Sequence, residues 1–293
     1  MVLVRLGIFW LLLSLAAAAP AATFTLERPD GSRIAYHVDR QRARGPVLLM
    51  LQGSGCDQVA RNRNIRAMAP LLAPRHAVLT IEKYGVTRDS DEHCTSEYWR
   101  GNTLTQRVLD ALQVVAQLRR ERWWNGELVL FGGSEGGAVA AMLAPLVPET
   151  KAVIVYSSGI GLPLGEMIRS AIPPEMNAEA LRVFAEARAN PAADRRWSGA
   201  GYRWWADAVD LVPARSLILT PAPVLMIHGT SDESAPIASA RAARDLVRAA
   251  GKANFTYREY EGYDHFMADA GGSHRDAVMV AAADWLRRLP RRR

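Results

Sequence analysis

Hydrophobic positions along this 293-residue chain follow two periods. In two short runs, 23–28 and 33–38, apolar and polar residues alternate. Pro29-Asp30-Gly31 separates them, which is the signature of an antiparallel hairpin. Further on, the strand-length runs 47–51, 128–131, 152–156 and 223–227 are continuously apolar, and 77–81 is interrupted only by Thr80. Such runs are expected of strands buried on both faces. Helical spacing fills the gaps, near 65–72, 103–121, 138–146, 235–250 and 275–289. In the second of these, Val108, Leu112, Val115 and Leu118 share one face. A last strand is predicted at 254–260. Strands separated by helices predict an α/β fold, a mostly parallel sheet with helices on both faces. The alternation stops in one place, 159–215, where Pro163, Pro173, Pro174, Pro191 and Pro213 punctuate short helical stretches near 179–189 and 202–208.

One junction in this pattern carries chemistry. The strand run Leu128-Val129-Leu130-Phe131 meets the next helix through Gly132-Gly133-Ser134-Glu135-Gly136-Gly137. This is G-x-S-x-G between a strand and a helix, and it reads as a nucleophile elbow with Ser134 at its apex. A serine there must adopt a strained backbone conformation, and the flanking glycines let strand and helix approach. A plain glycine-rich turn would look similar, so the reading depends on partners.

A serine hydroxyl needs a base, and the base needs an orienting carboxylate. His265 follows the last predicted strand, on the same sheet edge as Ser134, with His274 as runner-up. His37, His76 and His93 fall in the first third of the chain, away from that edge, and His228 reads as support for the loop after it. Asp232 follows the strand at 223–227, with Glu233 as the alternative. Two donors must hold the developing oxyanion. The N–H of Glu135 is one. The other is expected in Gln52-Gly53-Ser54-Gly55-Cys56, from Ser54, with Gly53 as the alternative. Trp197, Tyr202, Trp204 and Trp205 crowd the insert, where they line a substrate pocket or simply pack it onto the body. Glu135 and Glu166 offer carboxylates for a substrate amine, although local pairing is the simpler role.

With these residues in order, the chain resembles the α/β-hydrolase family. The resemblance runs from the leading hairpin through the glycine loop at 52–55 and the elbow to Asp232 and His265. It implies an eight-stranded, mostly parallel sheet, the triad Ser134, Asp232 and His265, and 159–215 as a helical cap inserted after the sixth strand. Many members begin the oxyanion loop with His-Gly; here it is Gln52-Gly53. Members with an aspartate nucleophile are set aside by Ser134.

The expected activity is that of an exported serine hydrolase on a small ester, with no cofactor. Short peptides as substrates, or binding without turnover, are the alternatives. Residues 1–21 hold a single charge, Arg5, then the apolar run 6–15 and small residues, as in a secretory signal peptide cut after Ala21 or Ala18. The run is shorter than the roughly 20 residues a membrane-spanning helix needs. The mature domain is therefore expected at 22–293, periplasmic or secreted, without stable membrane insertion. In that setting Cys56 and Cys94 predict a disulfide, worth about 3–4 kcal/mol by loop closure. No C-x-x-C or H-E-x-x-H spacing suggests a metal, and the mixed run 89–93 matches no standard site. The net charge of +6 resides in Arg5 and in Arg287, Arg288, Arg291, Arg292 and Arg293; the remaining 30 basic and 30 acidic residues balance. No basic face for nucleic acid is implied. Oligomeric state is not legible at this level.

Overall fold

A computed structural model describes residues 21–87, 90 and 93–290. The expected signal segment, most of the run 89–93 and the last three arginines lie outside the described residues. The chain opens with β1 (Ala22–Glu27) and β2 (Arg33–Asp39), paired antiparallel. At the turn between them Gly31 takes φ 81°, and the Asp30 carboxylate accepts the Ser32 N–H. The remaining sheet strands are β3 (Gly45–Leu51), β4 (Ala77–Ile81), β5 (Trp124–Gly133), β6 (Thr150–Tyr156), β9 (Val224–Gly229) and β10 (Phe255–Tyr260). Two short hairpins, β7 (Arg196–Trp197) with β8 (Ala200–Gly201) and β11 (Ala268–Asp269) with β12 (Gly272–Ser273), stand apart. The eight-stranded sheet runs β1-β2-β4-β3-β5-β6-β9-β10, and every pairing beyond β2–β4 is parallel.

The continuous apolar runs have the predicted reason. In β3, Val47, Leu49 and Leu51 face one core and Leu48 and Met50 the other; in β5, Leu128 and Leu130 oppose Val129 and Phe131. One core is covered by α1 (Arg63–Leu72) and α10 (Arg275–Arg288), which touch each other. The other lies under α3 (Leu104–Leu118), α4 (Glu135–Leu143) and α9 (Ile237–Ala249). The leading hairpin is fastened to that second layer. Arg28 donates twice to the Asp110 carboxylate on α3, both groups almost fully buried. Between β6 and β9 the chain inserts α5 (Leu164–Ala171), α6 (Asn177–Ala189), the β7–β8 hairpin, α7 (Tyr202–Ala208) and α8 (Ala214–Leu219). Helices α5 and α8 were not expected from sequence. Each begins behind a proline, Pro163 and Pro213, that reads as a breaker but serves as the N-cap. The α8 helix packs on α4 and α9, so it belongs to the body rather than to the outer part of the insert.

Helix α2 (Ser96–Gly101) was also missed, being only six residues long. It is fixed from outside. The Thr95 hydroxyl caps it by accepting the Tyr98 N–H, and Cys94 is bonded to Cys56, with Cα atoms 5.4 Å apart. Gly85 (φ 71°) passes so close that a side chain there would meet the Tyr98 N at 2.2 Å. Among the described residues, no helix is long and apolar enough to cross a membrane. The disulfide closes 38 residues of chain. Replacing both cysteines with serine should lower the unfolding free energy by about 3–4 kcal/mol. Urea unfolding of the oxidised protein and of the double variant checks this.

Candidate active site

The elbow is built from backbone contacts that exclude side chains. Ser134 sits between β5 and α4 with φ 52° and ψ −127°, a conformation costly for a non-glycine residue. Its neighbours explain how the strain is held. A Cβ on Gly132 would lie 2.0 Å from the Gly136 carbonyl oxygen, and one on Gly136 would lie 2.0 Å from the Leu51 carbonyl oxygen. Strand β5, helix α4 and the end of β3 therefore meet at van der Waals limit through glycine alone. The Ser134 N–H donates to the Tyr156 carbonyl, and the Ser134 carbonyl accepts from the Gly137 N–H and the Ser158 hydroxyl. The serine is thus pinned from β6 as well.

Asp232 and His265 meet as the sequence order expected. The Nδ1 atom of His265 lies 2.8 Å and 3.0 Å from the two Asp232 carboxylate oxygens. Asp232 is buried and also accepts the Ser234 and Ala235 N–H groups. With those fixed donors its carboxylate is oriented before any histidine arrives. Glu233, the alternative, is exposed. His265 is carried by a tight turn in which the Asp264 carboxylate accepts the Phe266 and Ala268 N–H groups. That turn presses on β9: a Cβ on Gly229 would lie 2.1 Å from the Tyr263 carbonyl oxygen. His274 is placed otherwise, bonded to Asp269 and stacked on Tyr263, without contact to Asp232. His228 is fully buried beneath the acid, its Nε2 2.7 Å from the Ala235 carbonyl and 3.4 Å from Asp232. Burial holds its pKa below the usual histidine value, so it is a neutral support. Among the described residues, the only hydrogen bonds of His265 go through Nδ1 to Asp232, and Nε2 is left without a protein partner.

The glycine loop lies against the serine. A Cβ on Gly53 would be 3.2 Å from Ser134 Cβ and 3.8 Å from its Oγ. Gln52, standing where a histidine is common, donates its side-chain amide to the Asp57 carbonyl and closes the loop. Lys83 Nζ donates to the Gly53 and Gly55 carbonyls, Tyr98 OH to Gly55, and Arg107 Nη2 to the Gln52 carbonyl. Neither Ser54 N–H nor Glu135 N–H has a hydrogen-bond partner among the described residues.

A cavity of about 280 Å³ opens beside Ser134. Trp204 and Trp205 line it, together with Leu164, Met167 and Ile168 of α5 and Trp99 of α2. Trp197 and Tyr202, expected in the pocket, do not line it. Trp197 packs inside the insert against Phe184 and Trp205, and Tyr202 is buried with its hydroxyl on Glu186. The α5 and α2 contributions were missed because neither helix was anticipated. Among the described residues, Glu135 is the one charged residue lining the cavity, and its carboxylate is paired with the buried Arg107 guanidinium. Glu166 faces a separate open groove with Arg169 and Arg188. Among the described residues, no group of three or more His, Cys, Asp or Glu could hold a metal ion.

The family model described as the prolyl oligopeptidase family matches residues 96–289. No curated protein matches the chain at a meaningful level. Solved structures do. Est1E from Butyrivibrio proteoclasticus superposes with TM-score 0.66 at 18% identity, over 92% of this chain and 99% of that one; a structure of Est1E with ferulic acid bound matches as well. The α/β hydrolase GrgF from Penicillium gives TM-score 0.68 at 14% identity, over 92% and 99%. A puromycin-hydrolyzing peptidase of Mycobacterium tuberculosis gives 0.60 at 16%, over 93% of this chain but 40% of its own length.

Gly136→Ala should be unable to keep the elbow closed. The expected loss is at least about 2 kcal/mol of stability together with activity, because the new methyl meets backbone and not a yielding side chain. Thermal unfolding and fluorophosphonate labelling of the variant test this.

Proposed function

This chain belongs to the prolyl oligopeptidase family of serine hydrolases, and we propose that it is an exported esterase that works through an acyl-enzyme on Ser134. Ser134 Oγ attacks the ester carbonyl and gives its proton to His265 Nε2. Asp232, bonded to Nδ1, fixes the tautomer and stabilises the imidazolium. The Glu135 and Ser54 N–H groups receive the oxyanion. His265 then protonates the leaving alkoxide, and water attacks the acyl-enzyme with His265 again as base. The Nε2 atom, unpartnered in the free protein, closes onto Ser134 and substrate as the complex forms, in keeping with catalytic hydrogen bonds that tighten only on binding.

The observation that carries the choice of ester over aminopeptidase is the state of Glu135. Recognition of a free substrate amine needs an available carboxylate at the cavity wall. Here the one carboxylate among the described lining residues, Glu135, is already paired with Arg107 in a buried ion pair. What remains is indole, phenol and aliphatic surface with serine hydroxyls and one amide, all uncharged and suited to an uncharged, aromatic acyl group. Ferulic acid, the ligand bound in one Est1E structure, is an acid of that aromatic kind. Residues 159–215 act as the cap over this site. The Cys56–Cys94 bond and the apolar leader at 1–21 support export to an oxidising compartment.

Ser134→Ala should reduce kcat/KM on an aryl ester by at least about 10³-fold with the fold intact. Wild type should prefer a hydrophobic or aromatic acyl ester over the matching aminoacyl amide by about 10-fold or more. Equal turnover of both would favour the short-peptide reading. Full activity of Ser134→Ala would remove the mechanism. Sequencing the N-terminus of exported protein should find cleavage next to Ala21; protein retained in the cytoplasm with residues 1–21 intact would defeat the export proposal.

A further inference from the structure

Two buried cations hold the glycine loop by its carbonyl oxygens, and the loop they hold lies against Ser134. A peptide unit joins the C=O of one residue to the N–H of the next. The Gly53 carbonyl bound by Lys83 is therefore the far end of the Ser54 N–H. The Gln52 carbonyl bound by Arg107 is likewise the far end of the Gly53 N–H. A cation at the oxygen draws electron density toward it and leaves the N–H more positive, as in chains of hydrogen bonds that polarise one another. It also fixes the plane of the peptide and so the direction of the donor. Lys83 binds the Gly55 carbonyl as well, which clamps both sides of Ser54. The Ser54 N–H itself has no hydrogen-bond partner among the described residues; Ser54 and Ser134 line the same cavity, and Gly53, one residue before, lies against the Ser134 side chain.

We propose that Lys83 is a positioning residue for the reaction, whose ammonium orients and polarises the Gly53–Ser54 peptide so that the Ser54 N–H stabilises the oxyanion formed at Ser134. The proposal rests on the acyl-enzyme reading of Ser134. Lys83 lies two residues beyond β4 and is 5% exposed, too enclosed to serve as a surface charge. Charged or titratable groups face it from every side: Glu82 beside it, Asp57 from the glycine loop, Tyr98 from α2, Arg107 from α3 and Glu135 from α4. Burial, helped by repulsion from Arg107 and opposed by Glu135, Asp57 and Glu82, brings its pKa down to about 7. The sign follows directly. The ammonium is present below that pH and lost above it, so the polarising charge fades as pH rises. Loss of that charge gives kcat an alkaline fall.

The test is kcat and KM for an aryl ester between about pH 6 and pH 9 for wild type, Lys83→Met and Lys83→Arg, with circular dichroism and thermal unfolding on each. Wild-type kcat should fall on the alkaline side. Lys83→Met should lose about 10-fold or more in kcat with KM changed by less than about 2-fold, a smaller loss than removal of a whole oxyanion donor. Lys83→Arg, which stays charged, should recover activity and lack the alkaline fall. A folded Lys83→Met with kcat within about 2-fold of wild type overturns the proposal. If neither variant folds, the wild-type profile decides, and a flat alkaline limb overturns it. Ser134→Ala run alongside separates this failure from failure of the acyl-enzyme reading: inert Ser134→Ala with unaffected Lys83→Met sinks only the role of Lys83.

Discussion

Three pieces of main chain meet at Ser134 with no room for a side chain between them. The ends of β3 and β5 and the first turn of α4 approach until Gly132 and Gly136 would each clash at 2.0 Å if given a Cβ. That approach holds Ser134 at φ 52° and lifts its hydroxyl off the sheet. It also decides where everything else must be. Gly53 follows β3 and so falls beside Ser134 automatically. The loops after β9 and β10 fall on the same edge because those strands are parallel neighbours in register with the sheet. Strain at one residue is affordable because backbone hydrogen bonds from β6 and α4 over-determine it.

The same edge concentrates charge where little water reaches. Lys83, Arg107, Glu135 and Glu82 lie buried or nearly so around a glycine loop with few side chains of its own. Buried charges are tolerated only when paired or hydrogen-bonded. Here they are satisfied largely by backbone: Lys83 and Arg107 by loop carbonyls, Glu82 by the Val59 and Ala60 N–H groups and by His37. A glycine loop stripped of packing side chains is thus made rigid by electrostatics. The Cys56–Cys94 bond and the Tyr98 hydroxyl add a covalent and a neutral tie from α2. From α2 the connection continues outward. Gly201 packs on the Trp99 carbonyl and Arg196 lies over the Trp99 ring, so the insert that walls the cavity rests on the element that braces the glycine loop.

The hydrophobic periods and the glycine-serine elbow settled much of this at the level of sequence, for a local reason. A strand buried on both faces must read as a continuous apolar run, a strand-to-helix turn this tight must be glycine-rich, and catalytic side chains of a parallel sheet gather after its strands. From these alone follow the α/β class, the hairpin start, the order Ser134, Asp232, His265 and the choice of the loop at 52–55. What the tertiary structure decided depended on contacts across long separations. It set Asp232 rather than Glu233 and His265 rather than His274 against each other, through the turn stabilised by Asp264 and the contact at Gly229. It turned Pro163 and Pro213 from breakers into helix starts, brought Trp99 and Met167 to the cavity, and withdrew Trp197 and Tyr202 from it. It paired Arg107 with Glu135 across 28 residues and Lys83 with Gly53 across 30. No period or motif encodes such pairs, because a buried charge finds its partner only once distant elements have packed.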